Sequence, residues 1–219
     1  MKILLLFSLI AVNLYVFAQP RVITFESEQK SKDSKIEKNV FKVSLFELAS
    51  GDFPIYYERV LGKKISIEGS AGITFGDYFG GLLSDNYYSP LSENVDSKYG
   101  YSLSISFRFY PIEALEEFYI APEFKYRKYN WDREAEFFPD YEPFYDVRNV
   151  SESRVYNMPR ISFGYAFFYD TNLSFDYYLG IGMNTPTERL FDTELLKVQE
   201  EKRNTRPRVH FGLKIGYVF

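Results

Sequence analysis

His210 is the only histidine in 219 residues, and the chain has no cysteine. Thiolate nucleophiles, disulfides and Cys-based metal sites are therefore excluded. Nucleophilic chemistry would need a serine activated by His210 and an acid to orient the imidazole. Ser162, Ser174 and Asp176 are the groups that neighbouring segments offer. A lone histidine in a sheet wall is more often a hydrogen-bonded polar residue, and no catalytic set is assigned. A second concentration of reactive groups runs from Trp131 to Ser153. Asp132, Glu134, Glu136, Asp140, Glu142 and Asp146 are interleaved there with Phe137, Phe138, Tyr141, Phe144 and Tyr145. Acids beside aromatic rings can grip a cation, a glycan or a protein, so Asp132, Glu134, Glu136, Asp140, Tyr141, Glu142 and Tyr145 form a candidate binding loop. Their spacing is not that of a calcium loop, and neither a metal nor a cofactor is predicted. A third set, Lys42, Glu58, Glu68, Arg108, Glu123, Lys125, Asp176 and Lys214, sits singly among alternating apolar residues.

What must position these groups follows from composition and period. Lys+Arg 26 against Asp+Glu 30 leaves a net charge of -4, with no basic run, which gives no footprint for nucleic acid. Aromatic residues are 20% of the chain and charged residues 26%, yet no internal stretch reaches the roughly 18 apolar residues of a spanning helix. Residues 1–18 read as a signal peptide, with Lys2 before an apolar run and Val16-Phe17-Ala18 at its end. Residues 19–39 are charged and serine-rich, a solvated tail expected on the periplasmic side.

From residue 40 onward apolar residues recur at every second position, the period of a strand. The expected strands are Val40–Leu48, Ile55–Leu61, Ile65–Phe75, Tyr101–Tyr110, Phe118–Tyr129, Val155–Phe168, Leu173–Asn184 and Arg208–Phe219. After the first, connections alternate short (Gly62–Lys64, Pro111–Glu117, Asp170–Asn172) and long (Asp77–Tyr99, Asn130–Ser153, and the segment around Pro186). Thr185-Pro186-Thr187-Glu188 has the form of a capping box with proline at the first helical position, so a short helix to about Lys202 is expected. The fold class predicted is all-β, an eight-stranded antiparallel up-and-down transmembrane β-barrel spanning residues 40–219.

The apolar face carries Phe, Tyr, Ile and Leu on nearly every strand, more bulk than a small barrel can enclose. The other face is Gly, Ser and Ala with a few charges. A charge on the lipid side would cost roughly 2–4 kcal/mol at the midplane, so the eight charges of the third set must point inward. Arg59 and Lys128 fall on the apolar face near strand ends, where they can snorkel. If Leu61 and Ile65 pair across the Gly62 turn, Glu58 faces Glu68, and the two carboxylates need cations between them. Counting along the strands puts Lys42, Arg108 and Lys214 at one depth, with Glu123, Lys125 and Asp176 not far above. A salt-bridged plug across the lower barrel is expected, rather than a diffusion pore.

Tyr57-Glu58-Arg59-Val60-Leu61-Gly62 with Ile65-Ser66-Ile67-Glu68, and Phe107-Arg108-Phe109-Tyr110-Pro111 with Phe118-Tyr119-Ile120-Ala121-Pro122, resemble the small outer-membrane barrels of the OmpA/OmpX kind. They are most similar to an uncharacterised branch of that group. The alternating end of the chain, with Tyr217 and Phe219, resembles the terminal signal read by the barrel-insertion machinery. The resemblance implies an outer-membrane location, contact with outer-membrane lipid and lipopolysaccharide, and long outer loops facing an unknown extracellular ligand. It brings no catalytic residues. Some barrels of this size hydrolyse lipid A acyl chains with a histidine, a serine and an acid, so a lipid A-modifying enzyme and a narrow channel are the alternatives to a structural or surface-interaction role.

Overall fold

The computed structural model describes residues 39–78, 95–137, 146–169, 172–193 and 195–219. The expected signal peptide and nearly all of the tail lie outside these residues. So do Asp140, Tyr141, Glu142 and Tyr145 of the binding loop.

The described chain is all-β and antiparallel. Its strands are β1 (Asn39–Ser44), β2 (Asp52–Gly62), β3 (Ile65–Thr74), β4 (Val95–Phe109), β5 (Glu117–Phe137), β6 (Asp146–Phe168), β7 (Leu173–Asp192), β8 (Lys197–Lys202) and β9 (Arg206–Val218), with one helix, α1 (Leu45–Ala49). Each strand from β1 to β7 pairs with the next, β7 pairs with β9, and β9 returns to β1. The sheet thus closes in a ring of eight strands. β8 lies on the upper part of β7, along the edge that β9 occupies lower down. Closure runs through Val40↔Val218 and Lys42↔Gly216, and the Phe219 amide donates to the Asn39 carbonyl. Where β1 pairs with β9 the ring has no free edge, which satisfies backbone groups that an open sheet would leave bare.

The two faces separate as the period requires. Ile55, Leu103, Ile105, Phe107, Ile161, Leu179 and Ile181 are exposed outward. Tyr56, Glu58, Glu68, Ser102, Arg108, Lys125 and Lys214 are buried inside the ring. Arg59 is exposed and Lys128 half-buried on the outward face.

Four expectations are corrected. The first strand ends at Ser44 rather than Leu48, and α1 follows. Continued alternation would have turned Phe46 and Leu48 inward among charges and Glu47 outward. The helical turn reverses this, burying Glu47 and exposing Phe46 and Leu48. The left-handed φ of +77° at Gly51 then returns the chain to β2, a conformation that glycine adopts without steric cost.

Leu61 does not pair with Ile65. Gly62 does, and the register shifts between Val60 and Gly62. The bulge restores the phase, so Glu58 still faces Glu68.

Much of what was expected as long loop is strand. β4 begins at Val95, and β5 and β6 extend as a continuous ladder through Phe137↔Asp146. No helix follows Thr185 among the described residues. β7 runs on to Asp192, and β8 folds back on it. Facing strands already existed, Tyr156 opposite Pro186 and Arg154 opposite Glu188, and ladder pairing outweighs a local capping preference.

Small and large residues interlock inside the ring. A Cβ on Gly164 would lie 2.2 Å from Cζ of Tyr119, and one on Gly212 would lie 2.5 Å from the Tyr178 ring. Gly164→Ala is therefore expected to destabilise the fold by about 1–3 kcal/mol through overpacking. A urea titration of the purified protein should show a lower midpoint, and an unchanged one would contradict this packing.

Candidate functional site

The interior charges gather into tiers. In the lower tier the facing pair Glu58 and Glu68 meets Lys42 from β1, Arg108 from β4, Asp176 from β7 and Lys214 from β9. Lys42 Nζ bonds Glu58, lies 2.9 Å from Asp176 and 3.3 Å from Glu68. Arg108 spans three acids, at 2.6 Å from Glu68, 2.6 Å from Asp176 and 3.4 Å from Glu58. Lys214 Nζ reaches Glu68 at 2.6 Å and sits 3.8 Å from the centre of the Tyr56 ring. Tyr110 and Tyr119 donate to Glu58 and Asp176, each within 2.7 Å. Three cations thus balance three carboxylates, and every carboxylate oxygen meets a cation or a hydroxyl donor, while Arg108 Nε has no partner among the described residues. Stripping a charge of water costs several kcal/mol, and only geometry of this quality offsets it.

Ligand oxygens of Glu58, Glu68 and Asp176 lie within 4.8 Å of one another, a spacing that could hold a divalent cation. The same oxygens already face Lys42, Arg108 and Lys214, which supply the opposing charge.

Glu123 and Lys125 belong to a second tier above. Lys125 Nζ lies 2.7 Å from Glu47 and 2.9 Å from Asp52. Arg127 reaches Asp52 at 2.8 Å, and Arg160 grips Glu123 with two bonds, at 2.7 and 2.9 Å. This tier again sets three cations against three carboxylates. Asp176 was expected beside Glu123 and Lys125, but it lies in the lower tier. Its register partner on β9 is Lys214, and Lys42 and Arg108 bind its carboxylate.

Arg127, Arg160, Tyr119 and Tyr178 join these tiers, and the strand period alone sets all four on the interior face, although the expected network did not include them. That network also missed Glu47 and Asp52. The signal for Glu47 was available, because strict alternation through residue 48 put an acid on the apolar face.

Higher still, Arg154 Nε donates to Glu188 at 2.8 Å, and Tyr156 donates to Asp77. Trp131 Nε1 and Arg133 Nε both donate to Glu152, each at 3.0 Å. Of the expected binding loop, Asp132, Glu134 and Glu136 stand on β5, opposite Ser151, Asn149 and Val147 of β6. Asp132 accepts from Ser151 at 2.7 Å. Exposed Lys98 donates to Asp96 at 2.6 Å, which raises its pKa. Asp132, Glu134 and Glu136 therefore stand on a paired strand rather than in a loop, and no shared centre forms among them.

His210 stands opposite Gly180, which in turn stands opposite Ser162. Asp176 is four residues further down β7, bound to the lower tier, and Ser174 faces Gly216. The three groups of a hydrolytic set are not brought together. Tyr217 and Phe219 close the ring against β1, with Phe219 stacked on Phe41 at 5.3 Å.

The sequence matches no protein-family model, and it finds no match among curated proteins.

Proposed function

We propose that this chain is an integral outer-membrane β-barrel with a plugged polar interior and a structural or surface-interaction role, exported by the signal peptide at residues 1–18. One observation carries the reading: a band of apolar side chains faces outward around a ring whose charges face inward. On β4 the band runs through Tyr101, Leu103, Ile105, Phe107 and Phe109, each 48–52% exposed. A water-soluble ring would reverse the two faces. The band also ends where a membrane face would. On β5 the outward side passes from Phe118, Phe124 and Tyr126 to Lys128, Asp132, Glu134 and Glu136.

Aromatic contacts rim the band at both ends. Phe41 packs with Tyr57 and Phe219 at the lower edge, and Phe167 packs with Phe175 there. Phe75–Tyr99 and Tyr101–Tyr126 lie at the upper edge. Such girdles belong to the two interfaces of a bilayer. This is the arrangement that the resemblance to small OmpA/OmpX-like barrels implies, with lipopolysaccharide against the upper wall and the β5–β6 hairpin as the surface for a ligand or partner.

Fractionation of cells expressing the full chain tests the location. The protein is expected in the outer-membrane fraction, extracted only by detergent and migrating differently on gels before and after boiling. A monomer recovered from the soluble fraction without detergent would overturn the reading. Planar-bilayer recording tests the plug. Two charge-balanced tiers of buried side chains close the eight-stranded lumen at their levels, so no steady conductance is expected. Sustained large openings would refute a plugged lumen and favour the channel alternative.

A further inference from the structure

The wall of the ring is interrupted at one level. β1 and β9 pair from Val40↔Val218 to Ser44↔Lys214, where the chain turns into α1. Above that point β9 pairs with β7 alone, from Arg206 to Leu213. Across the break, Asp52–Pro54 of β2 pairs with β3 alone. The five residues of α1 fill the space between, and Phe46 meets Phe211 edge-on at 5.4 Å.

Two hollows meet at this ring pair. Inside lies a hollow of about 390 Å³ in which Arg127, Arg160, Arg208, His210, Glu47 and Asp77 stand among apolar residues. Outside runs an apolar groove of about 470 Å³ over Phe118, Phe163, Tyr165, Tyr177 and Leu179. Phe46, Tyr178 and Phe211 line both. An interior hollow of this size falls within the ordinary range for small-molecule sites, roughly 300–1,000 Å³.

The charges of the cavity specify its occupant. Arg127 is held by Asp52, Arg160 by Glu123, Glu47 by Lys125 and Asp77 by Arg154. Arg208 makes no ion pair with any described residue, and the buried Nε2 of His210, two residues on, has no hydrogen-bond partner among them. The pairings leave one positive charge over, beside one unfilled polar group.

We propose that the break between β9 and β2 is a lateral binding site for a single-chain amphiphile with one anionic head group, a long-chain carboxylate. The head lies against Arg208 and His210 in the cavity, and the tail reaches the outer groove past Tyr178, displacing the edge contact between Phe46 and Phe211. The site rests on the membrane reading above, because only a lipid-facing wall would receive such a molecule from the side.

The test uses the full mature chain in nanodiscs of zwitterionic phospholipid, with the fluorescent polyene cis-parinaric acid as probe. Saturable binding of one probe per chain is expected, displaced by palmitate and not by hexadecanol. Arg208→Gln should weaken it about tenfold or more, the worth of a charge-assisted contact. Arg189→Gln, which removes an exposed charge paired with Glu200, should leave it unchanged. Absence of saturable binding, equal displacement by hexadecanol, or equal loss in both variants would each overturn the site. A chain that inserts into the discs but binds no probe sinks this proposal alone, whereas one that stays soluble without detergent sinks the membrane reading with it.

Discussion

Replacing Arg108 with methionine is expected to cost about 3–5 kcal/mol of folding stability, the penalty for removing one partner from a buried ionic cluster. Arg108 is 2% exposed and bonds Glu68 and Asp176 while approaching Glu58. Its guanidinium also lies 4.3 Å from the centre of the Tyr119 ring. Without it, three carboxylates share Lys42 and Lys214, and one negative charge is left inside the ring without an opposing one. Water cannot easily relieve that charge, since Tyr56, Tyr110 and Tyr119 are fully buried around it. Equilibrium unfolding in urea, followed by gel mobility or far-UV circular dichroism, should show a much lower midpoint.

The paired change Arg108→Met with Asp176→Asn discriminates further. It removes one charge of each sign, so the double variant should lose less than the sum of the two single losses. A coupling of about 0.5–3 kcal/mol is expected for groups in one network. Strict additivity would mean that the two residues do not share their stabilisation, contrary to the 2.6 Å contact between them.

Ile105→Arg is the second large effect, and its size depends on what surrounds the ring. Ile105 is 48% exposed, midway along the outward run from Tyr101 to Phe109 on β4. At the centre of a bilayer an arginine on the lipid face costs roughly 2–4 kcal/mol. In water the same exposed substitution would fall within about ±0.5 kcal/mol. Folding measurements in phospholipid vesicles should therefore show a large loss. Glu134→Arg, high on the outward face of β5, should show almost none. Equal, small effects at both positions would remove the physical basis for placing the band in lipid.

Strand period, the identity of the two faces and the short-and-long alternation of connections are all legible along the chain. These are local properties: side chains two apart share a face whatever the strand pairs with. That is why Lys42, Glu58, Glu68, Arg108, Lys125 and Lys214 could be read as inward-pointing from alternation alone. Glu58 and Glu68 face each other as expected, but through a bulge between Val60 and Gly62 that offsets the Gly62–Ile65 pairing at the turn.

Depth and partnership are not local, and they emerge only when the ring assembles. Asp176 joins Arg108, 68 residues earlier in the chain, because ring closure sets the stagger of all eight strands at once. The same closure determines where strands stop. β5, β6 and β7 continue beyond their apolar stretches because each finds a neighbour to bond, so Thr185–Glu188 becomes strand despite its capping pattern. Glu47 turns inward on α1 because Lys125 and Tyr56 wait there. A backbone group or a charge takes the partner that the assembled ring offers, and a pattern along the chain holds no record of which partner that is.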